Sequence, residues 1–497
     1  MKVVFTLKKN TILFLAILFS SLLNSHLFAQ TRVYADDQAV GRTGICAGCT
    51  VTNPGNAVNV NKSDFSTLNL TLGLVVPPST YQTLIFPSTN KPAAGTPVSV
   101  KLGTGDQLLS LDVLGAITLQ AFNGNTAAGQ PVAAASLLSA LSNNNQIEVA
   151  ITPQQNYDRI RVTLNGGIVA TLSNIYVYGA YFNVPGAVAC NAAIDELNGI
   201  SSGLLGLGAN VGGVVNPQQA IDDDINTAST LNAGIGLTGA FAQQTIIFAG
   251  PSVLGDSVRL TLSLPQALLD AGVLDNIQVS TANGTTDNAD NQNLSSSLLN
   301  VRLLDAGTNG RKVVITFAPL KIFDSVQLRL GGNVANVLST LNLYEAQRLI
   351  PSPILSVNGV VANNTTICTG TAVTLSTAKA NTVFKWYTVS TGGNAVFTGN
   401  SFQTPVLTAT TTYYAEAVRN GCTNASARTP VVINVSQVPA APIVANDVVA
   451  VCPGQHTSFT AQNMAGVTVN WYTAATGGTA IFTGNTFTTP ALTSTTK

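Results

Sequence analysis

Apolar and polar residues alternate along two related stretches of the chain. In each stretch every second residue is apolar: Ile160, Val162 and Leu164 in one, and Val326, Leu328 and Leu330 in the other. A period of two residues is typical of strands with one buried face. A Gly-Gly pair follows each stretch, at Gly166 and Gly331, and predicts a tight turn with positive φ. The pattern therefore predicts strands and little helix.

Both stretches belong to a longer internal duplication. VTNPGNAV at 51–58 recurs as VVNPQQAI at 214–221, and the repeat continues as far as YDRIRVTLNGG and FDSVQLRLGG. Such self-similarity indicates one structural unit present twice. We predict an all-β fold in which 30–185 (copy 1) and 186–350 (copy 2) are duplicated β-sandwiches.

Each copy also has a polar loop before its later strands, AIDDDINTAS in copy 2, and a closing pair of strands. This pattern resembles the galactose-binding-like or discoidin-type jelly roll. The resemblance implies two jelly-roll domains, and carbohydrate binding as a function to be tested.

A second duplication covers the C-terminal part of the chain. KWYTVSTGGNAVFTGNSFQTPVLTATT, from Lys385, aligns without a gap with NWYTAATGGTAIFTGNTFTTPALTSTT, from Asn470. A Cys that opens a strand, a Trp-Tyr pair and a Cys after a Tyr-Tyr strand resemble the Ig-like modules of secreted proteins of gliding bacteria, including large adhesins. We expect one Ig-like module at 351–437 and a second at 438–497 that is incomplete at Lys497.

The first 29 residues have the pattern of a secretory signal peptide. Three lysines precede an apolar stretch, and Ala29 lies before Gln30. We expect cleavage of 1–29. No later apolar run is long and unbroken enough to span a bilayer. We therefore expect a secreted or cell-surface protein with no transmembrane segment after signal removal.

Charge is scarce and balanced, which narrows the classes of partner. Only 9% of the residues are charged, with 22 Lys plus Arg against 22 Asp plus Glu. Binding to nucleic acid or an anionic membrane requires an excess of positive charge. The expected partner is instead an extracellular glycan or protein ligand.

The six cysteines of a secreted chain are disulfide candidates before they are metal ligands. The Ig-like resemblance implies a bridge between Cys368 and Cys422, with Trp386 packed against it. Cys452 is the counterpart of Cys368, and its partner is expected beyond Lys497.

Cys46 and Cys49 form a CxxC motif. A zinc or redox site does not fit, because no second CxxC exists and His456 is the only histidine after the signal. Two alternatives remain, a local Cys46–Cys49 disulfide or a bridge from one of them to Cys190.

Catalytic constellations are nearly absent. With one histidine after the signal, a Ser-His-Asp or Cys-His arrangement is nearly excluded. A glycosidase needs two carboxylates, yet the acid that matches between the copies is a single pair, Asp158 and Asp324. Each precedes a strand, where we expect it to cap a turn. We expect no enzymatic activity.

Sugar sites present an aromatic surface beside polar groups, and neither copy contains tryptophan. The candidate stacking residues are Tyr81, Tyr157, Phe122 and Phe241, with a place in the core as the alternative for each.

An acidic loop occurs in copy 2 alone. Asp222, Asp224 and Asn226 place oxygen ligands at alternating positions, as calcium requires. An EF-hand is excluded, because Thr227 replaces the loop glycine and Ala233 stands at the position of the bidentate glutamate. The loop resembles the calcium-supported loop of discoidin-type domains. The alternative is a solvated turn with Asx hydrogen bonds.

These observations predict a secreted, non-catalytic adhesin with paired β-sandwiches on an Ig-like stalk. The alternative is the ancillary, carbohydrate-binding and spacer region of a secreted hydrolase whose catalytic domain lies beyond Lys497. A third hypothesis makes the jelly rolls true lectins.

Overall fold

A computed structural model describes most of the chain after the expected signal peptide, and 1–29 lie outside the described residues. The described ranges are 30–46, 48–70, 77–104, 114–143, 145–166, 174–202, 212–233, 240–264, 274–284, 286–294, 300–305, 311–331 and 340–497. Strands dominate them, with short 3₁₀ turns at Pro54–Val58, Ala134–Leu137 and Pro217–Ala220. The predicted all-β fold class is confirmed.

The chain divides into two compact units. Unit 1 comprises Met1–Ile354, Thr377–Asn400 and Tyr414–Thr429, and unit 2 comprises Leu355–Ser376, Ser401–Tyr413 and Pro430–Lys497. Unit 1 thus contains both copies together with part of the first Ig-like module. No helix in the described part of the chain is long and apolar enough to cross a membrane.

The described residues of copy 1 form thirteen strands. They are β1 (Gln30–Tyr34), β2 (Asp37–Thr43), β3 (Thr50–Thr52), β4 (Ser66–Asn69), β5 (Ser79–Ile85), β6 (Val98–Gly103), β7 (Ile117–Asn123), β8 (Thr126–Ala127), β9 (Val132–Ala133), β10 (Leu138–Asn143), β11 (Gln146–Ile151), β12 (Arg159–Asn165) and β13 (Asn174–Pro185). One sheet has the order β10-β11-β6-β13-β4-β3, with β1 paired to β13. The other has the order β2-β5-β12-β7-β8, with β9 paired to β7.

Copy 2 repeats this arrangement strand for strand. Its strands are β14 (Ala193–Ser202), β15 (Gly213–Val215), β16 (Ser229–Asn232), β17 (Ala240–Phe248), β18 (Ser257–Leu264), β19 (Ile277–Asn283), β20 (Thr286–Asp287), β21 (Gln292–Asn293), β22 (Asn300–Asp305), β23 (Arg311–Phe317), β24 (Ser325–Gly331) and β25 (Thr340–Leu349). The orders are β22-β23-β18-β25-β16-β15 and β14-β17-β24-β19-β20, with β21 on β19. The duplication predicted equal strand orders, and this prediction is confirmed; β1 is an addition in copy 1.

Alternation places the core of each copy between its two sheets. Ile160, Val162 and Leu164 are fully buried in the core of copy 1, and Val326 and Leu330 are buried in the core of copy 2. The intervening polar residues of β12 are half-buried on the outer face. The pattern of period two therefore gives each sheet one core face and one outer face.

A buried polar contact occurs in both copies and anchors a 3₁₀ turn. In copy 2 the Ser229 hydroxyl donates to Gln244 Oε1 at 2.7 Å, and Gln244 Nε2 donates to the Pro217 carbonyl at 2.7 Å. Copy 1 has the same contacts among Ser66, Gln82 and Pro54. Because buried polar groups require partners, this contact connects the turn to the sheet.

The predicted positive φ at the Gly-Gly turns is wrong at the residues that are described. Neither Gly166 nor Gly331 lies in the left-handed region. Gly166 is required for a different reason, since a Cβ there would lie 2.8 Å from the carbonyl oxygen of Pro78. At Gly331 the nearest atom would be 3.5 Å away, an ordinary contact. The rest of both turns lies outside the described residues.

The C-terminal part continues with shorter strands. They are β26 (Ser356–Val357), β27 (Val360–Val361), β28 (Asn364–Cys368), β29 (Thr374–Ser376), β30 (Thr382–Tyr387), β31 (Phe397–Thr398), β32 (Ser401–Gln403), β33 (Thr411–Arg419), β34 (Thr429–Ser436), β35 (Ser458–Thr460), β36 (Asn470–Trp471), β37 (Phe482–Thr483) and β38 (Thr486–Thr488). β30 pairs with β31 and β33, and β28 runs parallel to β34. In both modules the indole N–H donates to a glycine carbonyl at 2.9 Å, from Trp386 to Gly399 and from Trp471 to Gly484.

Copy 1 covers an open sheet edge of copy 2. β14 is the end strand of its sheet, and an unpaired edge exposes backbone groups that need partners. Three side chains of copy 1 bond to alternate residues along this edge: Lys101 donates to the carbonyl of Glu196, Gln146 accepts from the amide of Asn198 at 2.8 Å, and Asn145 accepts from the amide of Ile200 at 2.8 Å.

The same contact contains buried charges. Lys101 Nζ lies 3.3 Å from Asp195 Oδ1 and 3.3 Å from Glu196 Oε1, and Arg32 also pairs with Asp195. Burial alone would raise the pKa of Asp195, but Lys101 and Arg32 hold that pKa below its usual value. Removing Lys101 would therefore leave the buried Glu196 carboxylate without a cation and Asp195 with Arg32 alone.

Candidate functional site

The outer face of one copy 1 sheet carries a stack of flat side chains. The Arg161 guanidinium lies between two rings, 4.2 Å from the centroid of Tyr81 and 4.3 Å from that of Phe122. Tyr81 also covers Gly41 on β2, where a Cβ would overlap its hydroxyl group. Arg161 Nε donates to Thr83 Oγ1 at 3.1 Å, which fixes the guanidinium plane. The stack crosses four neighbouring strands of the sheet.

Copy 2 builds a similar pair at a different position. The Arg329 guanidinium lies 3.7 Å from the ring centroid of Phe241. In copy 1, Arg161 is paired across the strands with Thr83, two residues after Tyr81. In copy 2, Arg329 is paired with Gln243, two residues after Phe241. The diagonal geometry is the same, but the pair is shifted by two residues along the sheet.

These stacks combine the chemistry that sugars and other flat polar ligands require. An aromatic face provides apolar contact area, and a guanidinium provides donors in a fixed plane. Tyr81, Arg161, Phe241 and Arg329 are all half-buried and so remain accessible to a ligand. We define the two aromatic–guanidinium stacks as the candidate functional site.

The four stacking candidates named from the sequence lie in two different environments in the structure. Tyr81, Phe122 and Phe241 lie in the stacks, whereas Tyr157 is 2% exposed and lies in the core, where its hydroxyl donates to the Thr96 carbonyl at 2.8 Å. The two arginines were missed in the sequence. The available signal was that each arginine occupies an outward-facing position of an alternating strand, as in RIRVTL of β12.

The acidic loop of copy 2 is organised by its own hydrogen bonds. Asp222 Oδ1 accepts from the amide of Asp224 at 3.0 Å, and Asp224 Oδ1 accepts from the amide of Asn226 at 2.9 Å. Thr227 Oγ1 donates to Asp222 Oδ2 at 2.7 Å. This is the geometry of the alternative, an Asx-type turn. Within the described residues, no three His, Cys, Asp or Glu side chains form a group that could hold a metal. Calcium binding at Asp222, Asp224 and Asn226 stays a prediction.

A buried glutamate faces this loop. Glu345 on β25 is 3% exposed, and its Oε2 has no hydrogen-bond partner among the described residues. Burial, together with repulsion from Asp223 and Asp222, raises the pKa of Glu345 to about 7. The corresponding residue of copy 1 is Gly179. A Cβ at this position would lie 2.9 Å from the carbonyl oxygen of Ala57. The two copies therefore differ in charge at this position.

The matched acids act as turn caps. Asp158 accepts from the amide of Gly124 at 2.9 Å, and Asp324 accepts from the amide of Gly284 at 2.8 Å. A hydrogen bond from Arg159 lowers the pKa of Asp158 to about 2, whereas burial raises the pKa of Asp324. The predicted capping role is confirmed.

Comparisons with known proteins bear on the C-terminal modules. Residues 357–436 and 439–497 match the model of the Ig-like domain described as CHU_C associated. The Ig-like prediction is confirmed. No curated protein matches the chain.

Several solved structures are similar to parts of the chain at low identity. The family 32 CBM from C. perfringens NanJ in complex with galactose is 10% identical, with a TM-score of 0.20, covering 31% of this chain and 100% of that chain. The adhesin domain of Epf from Streptococcus pyogenes is 12% identical, with a TM-score of 0.22 and coverage of 52% and 96%. The BSP domain of a biofilm associated protein is 10% identical, with a TM-score of 0.15 and coverage of 94% and 93%.

Two disulfides are present among the described residues. Cys46 is bonded to Cys49, which is one of the alternatives left open by the sequence. Cys190 is bonded to Cys422, across a sequence separation of 232 residues. The second bond joins the start of copy 2 to the first Ig-like module within unit 1.

The predicted Cys368–Cys422 bridge is wrong. Cys368, at the end of β28, is an exposed free thiol. Cys452 in the second module is also free and exposed. Cys422 is unavailable to Cys368 because it is bonded to Cys190. The start of copy 2 runs beside the turn of Cys422, where the amide of Val188 donates to the Gly421 carbonyl at 3.1 Å. Trp386 is fully buried without a disulfide of its own module beside it.

Proposed function

We propose that this protein is a secreted, non-catalytic surface protein that binds an extracellular glycan through the outer sheet faces of its two jelly rolls. The Ig-like modules would serve as the spacer. The observation that carries the proposal is the aromatic–guanidinium stack, which is built in both copies from different residues. A feature needed only for folding would be expected at equal positions in a duplicated fold.

The chemistry of the stacks favours a sugar over other ligands. A pyranose ring can lie on Tyr81 or Phe241 through its C–H groups, while guanidinium N–H groups donate to hydroxyls. The chain has no net charge, so attraction between opposite net charges contributes little to binding. A neutral or weakly charged glycan fits these surfaces.

The disulfides support secretion. Disulfides persist in oxidising compartments outside the cytosol, and both Cys46–Cys49 and Cys190–Cys422 are formed. The absence of enzymatic activity is part of the proposal and is supported by the matched acids, because Asp158 and Asp324 serve turns.

The test is binding of the chain from Gln30 to Lys497 to a glycan array. We expect the double variant Tyr81→Ala, Phe241→Ala to lose at least tenfold in affinity, since stacking contacts contribute about 1–2 kcal/mol. Tyr344→Ala is the matched control, because Tyr344 is also half-buried beside a cation, Lys312, at 4.2 Å.

Two results would contradict the proposal. One is an array on which the wild-type chain binds no glycan. The other is equal binding by the wild type and the double variant, which would place any sugar site elsewhere in the jelly rolls.

A further inference from the structure

A small cavity lies beside the Cys190–Cys422 disulfide, where copy 2 meets the first Ig-like module within unit 1. Its volume is about 20 Å³, enough for one or two water molecules or one ion of similar size. Its charged lining residues are Arg348, Arg419 and Asp256, and Asn381 and Asn420 line it as well. Two of its lining side chains are therefore cations and one is a carboxylate.

Arg348 is buried without a charged partner. It is 2% exposed, and its one side-chain hydrogen bond to the described residues runs from Nη1 to the Gly250 carbonyl at 2.6 Å. Among the described residues no carboxylate lies within 4 Å of it to form an ion pair. Burial lowers the pKa of Arg348 to about 10, against the attraction of Asp256 and Asp324. A buried guanidinium with most of its N–H groups unpaired is costly.

The two carboxylates nearby form no ion pair with Arg348. Asp256 Oδ1 accepts from Arg419, and its Oδ2 accepts from the amide of Val253 at 2.8 Å. Asp324 Oδ2 accepts from the amide of Gly284, and its Oδ1 has no hydrogen-bond partner among the described residues. Arg419 is satisfied by Asp256 and by the hydroxyl of Thr382. The unsatisfied charge at the cavity therefore belongs to Arg348.

We propose that the cavity binds a small monovalent anion of the size of chloride. Arg348 would form its floor, and the amides of Asn381 and Asn420, which line the same cavity, would provide neutral donors. A water molecule could satisfy one or two N–H groups, but it would leave the guanidinium charge without compensation. An anion satisfies both requirements in the space available.

The site has a consequence for the joint between copy 2 and the Ig-like strands. Its lining comes from both, so an anion would be held by groups that separate when the joint opens. Such a ligand stabilises the closed joint by mass action. The inference is independent of the proposed glycan binding, because neither aromatic–guanidinium stack lines the cavity.

Direct evidence comes from crystals of the full mature chain grown with bromide in place of chloride. We expect an anomalous peak within hydrogen-bond distance of the Arg348 guanidinium. A map with bromide elsewhere and only water in the cavity would overturn the proposal, and this experiment needs no variant to fold.

Hydrogen exchange in solution gives an independent measurement. At constant ionic strength, replacing gluconate by chloride should raise the protection of peptides near Arg348 and Arg419, up to tenfold for each tenfold rise in chloride above its Kd. Arg348→Met should abolish this dependence. The control Arg259→Met should retain it, because Arg259 is a half-buried arginine of the same copy that bonds to Gln347. Equal chloride dependence in all three proteins would overturn the proposal.

Discussion

Replacing Glu345 by glutamine should change how the stability of copy 2 depends on pH. The Glu345 carboxyl is 3% exposed, has an oxygen without a partner among the described residues and lies near the acidic loop. Its pKa rises from 4.5 to about 7 because of burial and of repulsion by Asp223 and Asp222. Glutamine keeps the shape and an acceptor oxygen but never ionises.

The sign and size of the effect follow from the pKa. The unfolded carboxyl ionises at lower pH than the folded one, so copy 2 loses stability as the pH rises from 4.5 to 7. At about 1.36 kcal/mol per pKa unit the full effect would be roughly 3 kcal/mol. Because Asp222 and Asp223 are exposed and solvent screens their repulsion, we expect about 2 kcal/mol. Glu345→Gln should be more stable than the wild type by this amount at pH 8 and equal to it near pH 4.

The assay is hydrogen exchange of the full chain between pH 5 and 8, corrected for intrinsic rates and read on peptides that contain β16 and β25. Glu416→Gln, which removes a carboxyl from the Ig-like module, should leave these peptides with the wild-type profile. If the Glu345→Gln profile matches the wild type at every pH, the buried carboxyl does not limit the stability of copy 2 and the reasoning is refuted.

Calcium binding at the acidic loop is a second prediction that can be tested in copy 2. If the acidic loop binds calcium, titration calorimetry of the wild-type chain should show heat that Asp222→Ala loses. Equal or absent heat in both proteins would leave only the capped turn seen in the hydrogen bonds of Asp222 and Asp224.

Three further outcomes are expected. Lys101→Met leaves the buried Glu196 carboxylate without its cation and should destabilise the contact between the copies by about 3–5 kcal/mol, measured by urea unfolding; a neutral result would contradict the edge contact. Cys190→Ser opens a loop of 232 residues and should lower the free energy of unfolding by about 5 kcal/mol on the chain-entropy model. Cys368→Ser should leave the free energy of unfolding unchanged. A peptide map with Cys368 bonded to Cys422 would contradict this assignment. Gly166→Ala should destabilise copy 1 by about 1–3 kcal/mol through overpacking, while Gly331→Ala, whose Cβ would make an ordinary contact at 3.5 Å, should stay within about 0.5 kcal/mol in thermal unfolding.

Part of the candidate site could be predicted from local sequence. Alternation in β12 indicates which residues face outward, and it places Arg161 on the outer face. β5 does not alternate in this way, so the outward position of Tyr81 is visible only in the structure. The duplication predicted equal strand orders. What it could not predict is that the aromatic–guanidinium pair moves by two residues between the copies, because that depends on the cross-strand register.

The sequence by itself determined the all-β class, the duplicated β-sandwiches and the Ig-like modules, because these follow from short-range periodicity and repeated segments. Only the tertiary structure decided the partners of Cys422, Lys101 and Arg348. Each partner or missing partner depends on how separate β-sandwiches pack against one another, and residues far apart in sequence leave no local pattern that records their contact. A disulfide across 232 residues and a guanidinium buried at a joint are therefore visible only after folding.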